Sequence, residues 1–171
     1  MKYRSITISG PIASGTTTAA KGVSEKLGLE YHSAGDFFRK YALEHNLPLY
    51  EHVPDKLDLA MDKKLQEEVK KGIVLDSHYA GYFNRANKNV LKVLLLCDEK
   101  ERIRRALART HTHQESEGEI KKREKAHDAK FRKLYTDENY LDPKFFDLVI
   151  DTTNTTIEET TNRITNRFLG R

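Results

Sequence analysis

The sequence predicts an α/β fold of three layers, αβα, in which helices cover both faces of a five-stranded parallel sheet. Three observations carry that expectation. Short apolar segments alternate with amphipathic ones from end to end. The short segments are apolar rather than half polar, as strands buried on both faces must be. A glycine-rich turn joins the first of them to the first helix, and strand–turn–helix units of this kind build parallel sheets.

Residues 3–9 alternate and carry Ile6 and Ile8, a strand pattern. A turn follows over residues 10–15. Residues 17–27 form a helix that stops at Gly28, since glycine suits the left-handed end of a helix. Residues 29–32 are a short strand. Residues 36–45 form a helix with Phe37, Phe38, Tyr41 and Ala42 on one side and Pro48 beyond its end. Leu57, Met61, Leu65 and Val69 recur every fourth residue, which makes one apolar helix face, and Gly72 closes it. Residues 73–75 are a buried strand running into Asp76, and residues 90–97 a longer one.

Residues 99–109 form a basic helix and residues 110–118 a polar break. Ser116 and Glu119 have capping-box spacing. They open a long charged helix that ends near Tyr135, with Phe131 and Tyr135 on its inner face. Residues 146–150 are the last strand. Thr155 and Glu158 repeat the capping-box spacing before a closing helix, whose inner face is Ile157, Thr161, Ile164 and Phe168.

The 171 residues fit one domain spanning 1–171, and such a chain buries roughly 70% of its unfolded surface. With 37% hydrophobic and 33% charged residues the composition is wet but globular. The longest apolar run, from Val93 to Cys97, is strand-sized, so no membrane association is expected. Residues 1–10 enter a strand pattern at once, so no signal peptide is expected. The single cysteine, Cys97, suits a reducing cytoplasm. Thirty basic against 26 acidic residues leave a net charge of only +4, a modest excess for a nucleic-acid binder.

Gly10-Pro11-Ile12-Ala13-Ser14-Gly15-Thr16-Thr17-Thr18 lies between the first strand and the first helix. It matches the phosphate-binding pattern G-x-x-x-x-G-K-[ST], except that Thr16 stands where lysine is expected. Glycines let the backbone wrap so that its N–H groups meet phosphate oxygens, and the helix start adds its positive dipole end. Thr17 offers a hydroxyl to Mg²⁺. The plain alternative, a Gly-Pro turn before a helix, does not explain both glycines and the strand–loop–helix setting.

With the loop, further segments fall into register with one family. The sequence resembles the short, archaeal-type cytidylate kinases among the P-loop nucleoside monophosphate kinases. Short members carry Gly-Thr-Thr-Thr at the end of the loop, as residues 15–18 do here. Ser33-Ala34-Gly35-Asp36-Phe37-Phe38-Arg39 resembles the stretch that opens the monophosphate site, which implies that Ser33, Asp36 and Arg39 meet the acceptor and that Arg39 holds its phosphate. Val74-Leu75-Asp76-Ser77-His78 is similar to the family's third strand, whose acidic end orients Mg²⁺-bound water. Residues 146–154 resemble its last strand and turn.

The resemblance implies a P-loop NTPase fold with a small helical lid over about residues 109–133. It implies ATP as phosphoryl donor, Mg²⁺ as cofactor and CMP or dCMP as acceptor. Arg109, Arg123 and Lys130 match the lid positions that neutralise the transferring phosphate. Three places depart from the pattern. His78 stands where arginine is usual, Lys64-Leu65 where an Arg-Gln pair is usual, and Lys130 where a lid arginine is usual. The missing glutamine removes a group that reads the base.

Other readings stay open at this stage. Arg39 also fits the surface of an amphipathic helix, Asp76 a strand-end cap, and His78 a packed histidine beside the phosphates. The basic residues from Arg102 to Lys133 are mostly solvated helix face. His111, His113 and Cys97 do not make a credible metal site, because no paired cysteines support them. A same-fold kinase for AMP or another small molecule is one alternative. A nucleotide-binding or RNA-associated protein with weak kinase activity is the other. The expected partners are small molecules, and the expected state is a monomer or weak homodimer.

Overall fold

The computed structural model describes residues 2–48, 53–108 and 115–171. Among the described residues, five strands form one sheet: β1 (Ser5–Ser9), β2 (Glu30–Ser33), β3 (Ile73–Asp76), β4 (Val90–Leu96) and β5 (Leu148–Asp151). Every ladder is parallel, and the spatial order is β2-β3-β1-β4-β5. Ile6 of the central strand lies opposite Val74 of β3 and Leu91 of β4. From β1 the chain runs outward to β2, returns to β3, then crosses to β4 and β5 on the other side. That reversal opens a crevice beyond the carboxyl end of β1, the place where open α/β sheets take their ligands.

The described helices are α1 (Thr16–Leu27), α2 (Ala34–Glu44), α3 (Asp55–Val69), α4 (Ala80–Phe83), α5 (Glu99–Leu107), α6 (Glu117–Leu134) and α7 (Ile157–Leu169). Ala19, Ala20 and Val23 of α1, with Ile164 and Phe168 of α7, pack on Ile6, Ile8, Leu91 and Val93. Leu65 and Val69 of α3 pack on Ile73, Leu75 and Val90 from the opposite face. The three layers are therefore those expected. A third cluster joins α4 to α6: Tyr79, Tyr82, Phe131 and Tyr140 are all buried. Tyr79 meets Phe131 at 5.0 Å and Tyr140 at 4.8 Å between ring centroids, a spacing that favours edge-on and tilted rings. This cluster seats α6 over the sheet's carboxyl end.

The structure departs from the sequence pattern in four places. First, β1 is buried on both faces although it alternates. Ser5 Oγ donates to the Val69 carbonyl at 2.5 Å and accepts from the Ile73 N–H at 3.0 Å. Ser9 Oγ donates to the Ser77 carbonyl at 2.7 Å and accepts from the Gly81 N–H at 3.2 Å. Small hydroxyls let neighbouring chain approach closely while pairing its backbone groups. Second, β2 is partly exposed rather than apolar, because it lies at the sheet edge. Third, the last capping box is Thr156 with Glu159, one residue later than the spacing at Thr155 and Glu158 suggests. Thr155 instead turns its hydroxyl to Thr160, so Ile157 is exposed and Thr160 joins Thr161, Ile164 and Phe168 inside. Fourth, α4 and the 3₁₀ turn Pro143–Phe145 are too short for periodicity to reveal. The capping box of Ser116 and Glu119 stands as expected.

Candidate active site

The loop after β1 owes its shape to its glycines. A Cβ on Gly10 would lie 2.5 Å from both the Leu95 carbonyl oxygen and Ser14 Oγ, so no side chain fits there. Gly15 caps α1 at φ 95°, and Ala13 is held at φ 61°, a conformation L-residues rarely adopt. Bonds from behind fix the loop. Thr152 Oγ1 donates to the Ser14 carbonyl at 2.8 Å, and Arg102 Nη1 donates to the Ile12 carbonyl at 2.9 Å. Arg102 also pairs with Glu124, so one buried guanidinium ties the loop to α6. Sequence reasoning grouped Arg102 with the solvated charges; its burial comes from packing that residue type alone does not signal.

Asp76 ends the buried strand β3, and Thr17 opens α1 across the crevice. Thr17 Oγ1 donates to Asp76 Oδ2 at 2.6 Å. Burial pushes the Asp76 carboxyl above its ordinary range, and hydrogen bonds from Thr17 and Thr16 pull part of the way back. A desolvated carboxylate beside one hydroxyl offers a few hard oxygen donors. That set fits Mg²⁺, which keeps most of its waters and takes the rest from phosphate.

His78 lies two residues on, with Nδ1 2.8 Å from the Gly10 carbonyl oxygen. A carbonyl only accepts, so Nδ1 carries the proton and Nε2 is the acceptor nitrogen. Burial lowers the His78 pKa to about 4; the Gly10 bond opposes the shift, and the charges of Arg123, Lys130 and Arg39 add to it. The imidazole is thus neutral at neutral pH. Its ring lies 4.5 Å from that of His127 on α6, and the Tyr79 hydroxyl donates to the His127 carbonyl at 2.7 Å.

Among the described residues, the expected phosphate cations Arg39, Arg123 and Lys130 each hold a carboxylate. Arg39 pairs with Asp36 one turn earlier on α2. Ser33 caps that helix by accepting from the Asp36 N–H at 3.1 Å. Arg123 makes a two-pronged contact with Glu115, at 2.9 Å through Nε and 2.6 Å through Nη2, and both side chains are almost fully buried. Lys130 Nζ donates to Asp58 Oδ1 at 2.8 Å, and it sits 4.7 Å from the Phe38 ring centroid and 5.3 Å from that of Tyr79.

One cavity gathers most of these groups. From the loop, Pro11, Ile12, Ala13, Thr16 and Thr17 line it. Arg39, Asp76, His78, Arg123 and Lys130 complete the predicted set on its wall. Gly10, Ser14 and Gly15 shape the loop behind, and Thr18 is exposed on the first turn of α1. Ser33 and Asp36 stand at the start of α2, outside the lining. Arg109 lies outside the described residues, as do His111 and His113. The cavity also contains Asp58 and Asp62, which the sequence reading passed over. Their i,i+4 spacing on α3 was the available signal, and the neighbouring apolar stripe of Leu57, Met61 and Leu65 masked it.

A family model described as an AAA domain matches residues 6–128. A cytidylate kinase of Ignicoccus hospitalis is 35% identical over 154 residues, covering 86% of this chain and 88% of that one. A cytidylate kinase of Aeropyrum pernix is 32% identical over 160 residues, covering 90% and 92%. Among solved structures, a shikimate kinase from Acinetobacter baumannii aligns with a TM-score of 0.64 at 17% identity, covering 98% of this chain and 94% of that one. A gluconokinase from Sinorhizobium meliloti aligns with a TM-score of 0.64 at 14% identity, covering 99% and 94%. These two likenesses concern the fold alone. Sequence identity, coverage and the loop-centred cavity converge, and the chain belongs to the cytidylate kinase family.

Proposed function

We propose that this protein transfers the γ-phosphoryl group of ATP to CMP or dCMP, with residues 1–171 as one kinase domain and residues 109–133 as its lid. The observation that carries the reading is the single cavity shared by the phosphate loop, the Thr17–Asp76 pair and the cations Arg39, Arg123 and Lys130. The curated relatives named cytidylate kinase support the acceptor.

Phosphoryl transfer asks for in-line positioning and charge stabilisation rather than covalent chemistry. The loop N–H groups of residues 10–18 and the start of α1 hold the donor phosphates. Arg39 grips the acceptor phosphate, for which its planar fork is suited. Thr17 and Asp76 hold Mg²⁺, which when bound screens the phosphate charge. Arg109 and Arg123 supply, from the lid side, the cations that Thr16 cannot, and Lys130 adds positive potential to the cavity from its place beside Asp58. His78, neutral, stands where the resemblance implies an arginine and offers an acceptor nitrogen instead.

The basic helices support small-molecule partners over nucleic acid, because they carry their own counter-ions. Arg104 and Arg105 pair with Glu101, Lys121 with Glu117 and Arg132 with Asp128. Among the described residues, no helix is long and apolar enough to cross a membrane. A cytoplasmic monomer or weak homodimer completes the proposal. A coupled assay with Mg²⁺-ATP and CMP, dCMP, UMP, AMP or GMP tests it. The expected result is the highest kcat/KM with CMP or dCMP; preference for AMP or GMP refutes it.

A further inference from the structure

We propose that Asp58 determines acceptor specificity by taking a hydrogen bond from the exocyclic amino group of the base. The inference rests on the kinase reading above and assigns a residue to the gap left at Leu65, where the sequence lacks the family's base-reading glutamine. Asp58 is completely buried, yet it lies on the cavity wall. Its Oδ1 accepts from Lys130 Nζ at 2.8 Å, while its Oδ2 has no hydrogen-bond partner among the described residues. A buried carboxylate oxygen without a donor is costly, so this atom marks a place built for a donor.

The chemistry of that donor follows from the surroundings. A carboxylate repels the phosphate of the acceptor, so Asp58 serves another part of the molecule. Phe38, Ala42, Leu47 and Val53 line the same cavity, and apolar walls suit the flat faces of a base better than the hydroxyls of a sugar. The Lys130 ammonium compensates the charge of Asp58, and an ionised carboxylate can only accept. The 4-amino group of cytosine donates at this position. The 4-oxo group of uracil is an acceptor and leaves two oxygens facing each other. A site built for a donor rejects an analogue lacking it more sharply than any apolar pocket can.

Asp58→Asn tests the assignment with little change of shape. The Lys130 ammonium can pair only with the amide oxygen, so the new NH₂ turns to the position of Oδ2. Acceptor becomes donor there, and the preference should move toward uracil. In wild type the kcat/KM ratio of CMP over UMP should be high. In Asp58→Asn it should fall by about tenfold or more, the scale of one hydrogen bond to a charged group, with the KM for ATP unchanged.

Wild-type turnover of CMP with the same CMP/UMP ratio in a folded Asp58→Asn overturns the assignment and leaves the kinase reading standing. A changed CMP/dCMP ratio with an unmoved CMP/UMP ratio also overturns it, because Asp58 then meets the sugar. No turnover of any nucleoside monophosphate by wild type overturns the kinase reading and the assignment together. If Asp58→Asn does not fold, the pyrimidin-2-one ribonucleoside monophosphate, which is CMP without its amino group, decides the matter on wild type. It should be at least about tenfold poorer than CMP in kcat/KM, and equal use of the two refutes the proposal.

Discussion

Thr17 and Asp76 stand 59 residues apart in the chain, and the hydroxyl of one donates to the carboxylate of the other at 2.6 Å. The contact spans the crevice between α1 and β3 at the point where the sheet reverses its order. It places the oxygen donors proposed for Mg²⁺ against the phosphate loop.

Asp76→Asn should separate stability from activity. Burial disfavours the charged form of Asp76, so a neutral amide of the same size relieves a cost in the folded state at neutral pH. Thermal unfolding should show a raised Tm, by about 2–4 °C for each kcal/mol relieved. Steady-state assays should show kcat reduced by about a hundredfold or more, since the carboxylate that would hold Mg²⁺ beside the phosphates is lost. An active Asp76→Asn would remove this residue from the metal site.

Arg39→Ala should raise the acceptor KM and leave ATP binding nearly unchanged. A charge-assisted bond to phosphate is worth about 1.5–3 kcal/mol, so the change is on the order of tenfold to a hundredfold. Its pairing with Asp36, itself anchored by the Ser33 cap, aims the guanidinium before any phosphate arrives. Equal damage to both substrates would place Arg39 outside the acceptor site.

Glu115→Gln should couple stability to ATP more tightly. Glu115 occupies two N–H groups of Arg123, the same groups that the proposed contact with a donor phosphate needs. Removing the charge leaves a buried guanidinium undercompensated, which lowers the Tm. ATP then restores that compensation, so differential scanning fluorimetry should show a larger ATP-induced rise in Tm than in wild type. An ATP-induced shift no larger than that of wild type would mean that Arg123 does not meet the donor phosphates.

His78 should make stability depend on pH in a defined window. Its folded pKa is lowered to about 4 from an ordinary value near 6.5. Between these values the unfolded chain binds the proton and the native one does not, so stability rises with pH there. The contribution is fully present above about pH 6.5 and is lost as pH falls toward 4. Its size is at most about 3 kcal/mol. Asn retains an N–H for the Gly10 carbonyl but does not titrate. The difference between wild type and His78→Asn in urea unfolding, followed from pH 7 to pH 4, should therefore shrink wild-type stability relative to the variant. Parallel curves would contradict the buried, neutral imidazole.

The layers and the parallel sheet were legible because helix and strand periods alternate cleanly and the phosphate loop fixes which end of the sheet is functional; the spatial order of the strands came only with the structure. Boundaries slipped by one or two residues, as at Thr156, where two adjacent threonines each have an acidic residue three positions on and only packing selects one. The groups that buttress the site were harder to see. Arg102, buried under the loop, looks in sequence like any charge on a basic helix. Asp58 and Asp62 look like the solvated side of α3 until α6 is laid across them through Lys130 and Tyr135. Such contacts join residues more than 70 positions apart, and no local pattern encodes them.

The central claim is that one cavity joins donor and acceptor and passes a phosphoryl group between them. Phosphorus NMR of wild-type enzyme with Mg²⁺, ATP and CMP measures that transfer without coupling enzymes. The account predicts that CDP and ADP appear one for one, and that ADP scarcely forms when CMP is left out. ADP and inorganic phosphate accumulating without CDP would contradict it.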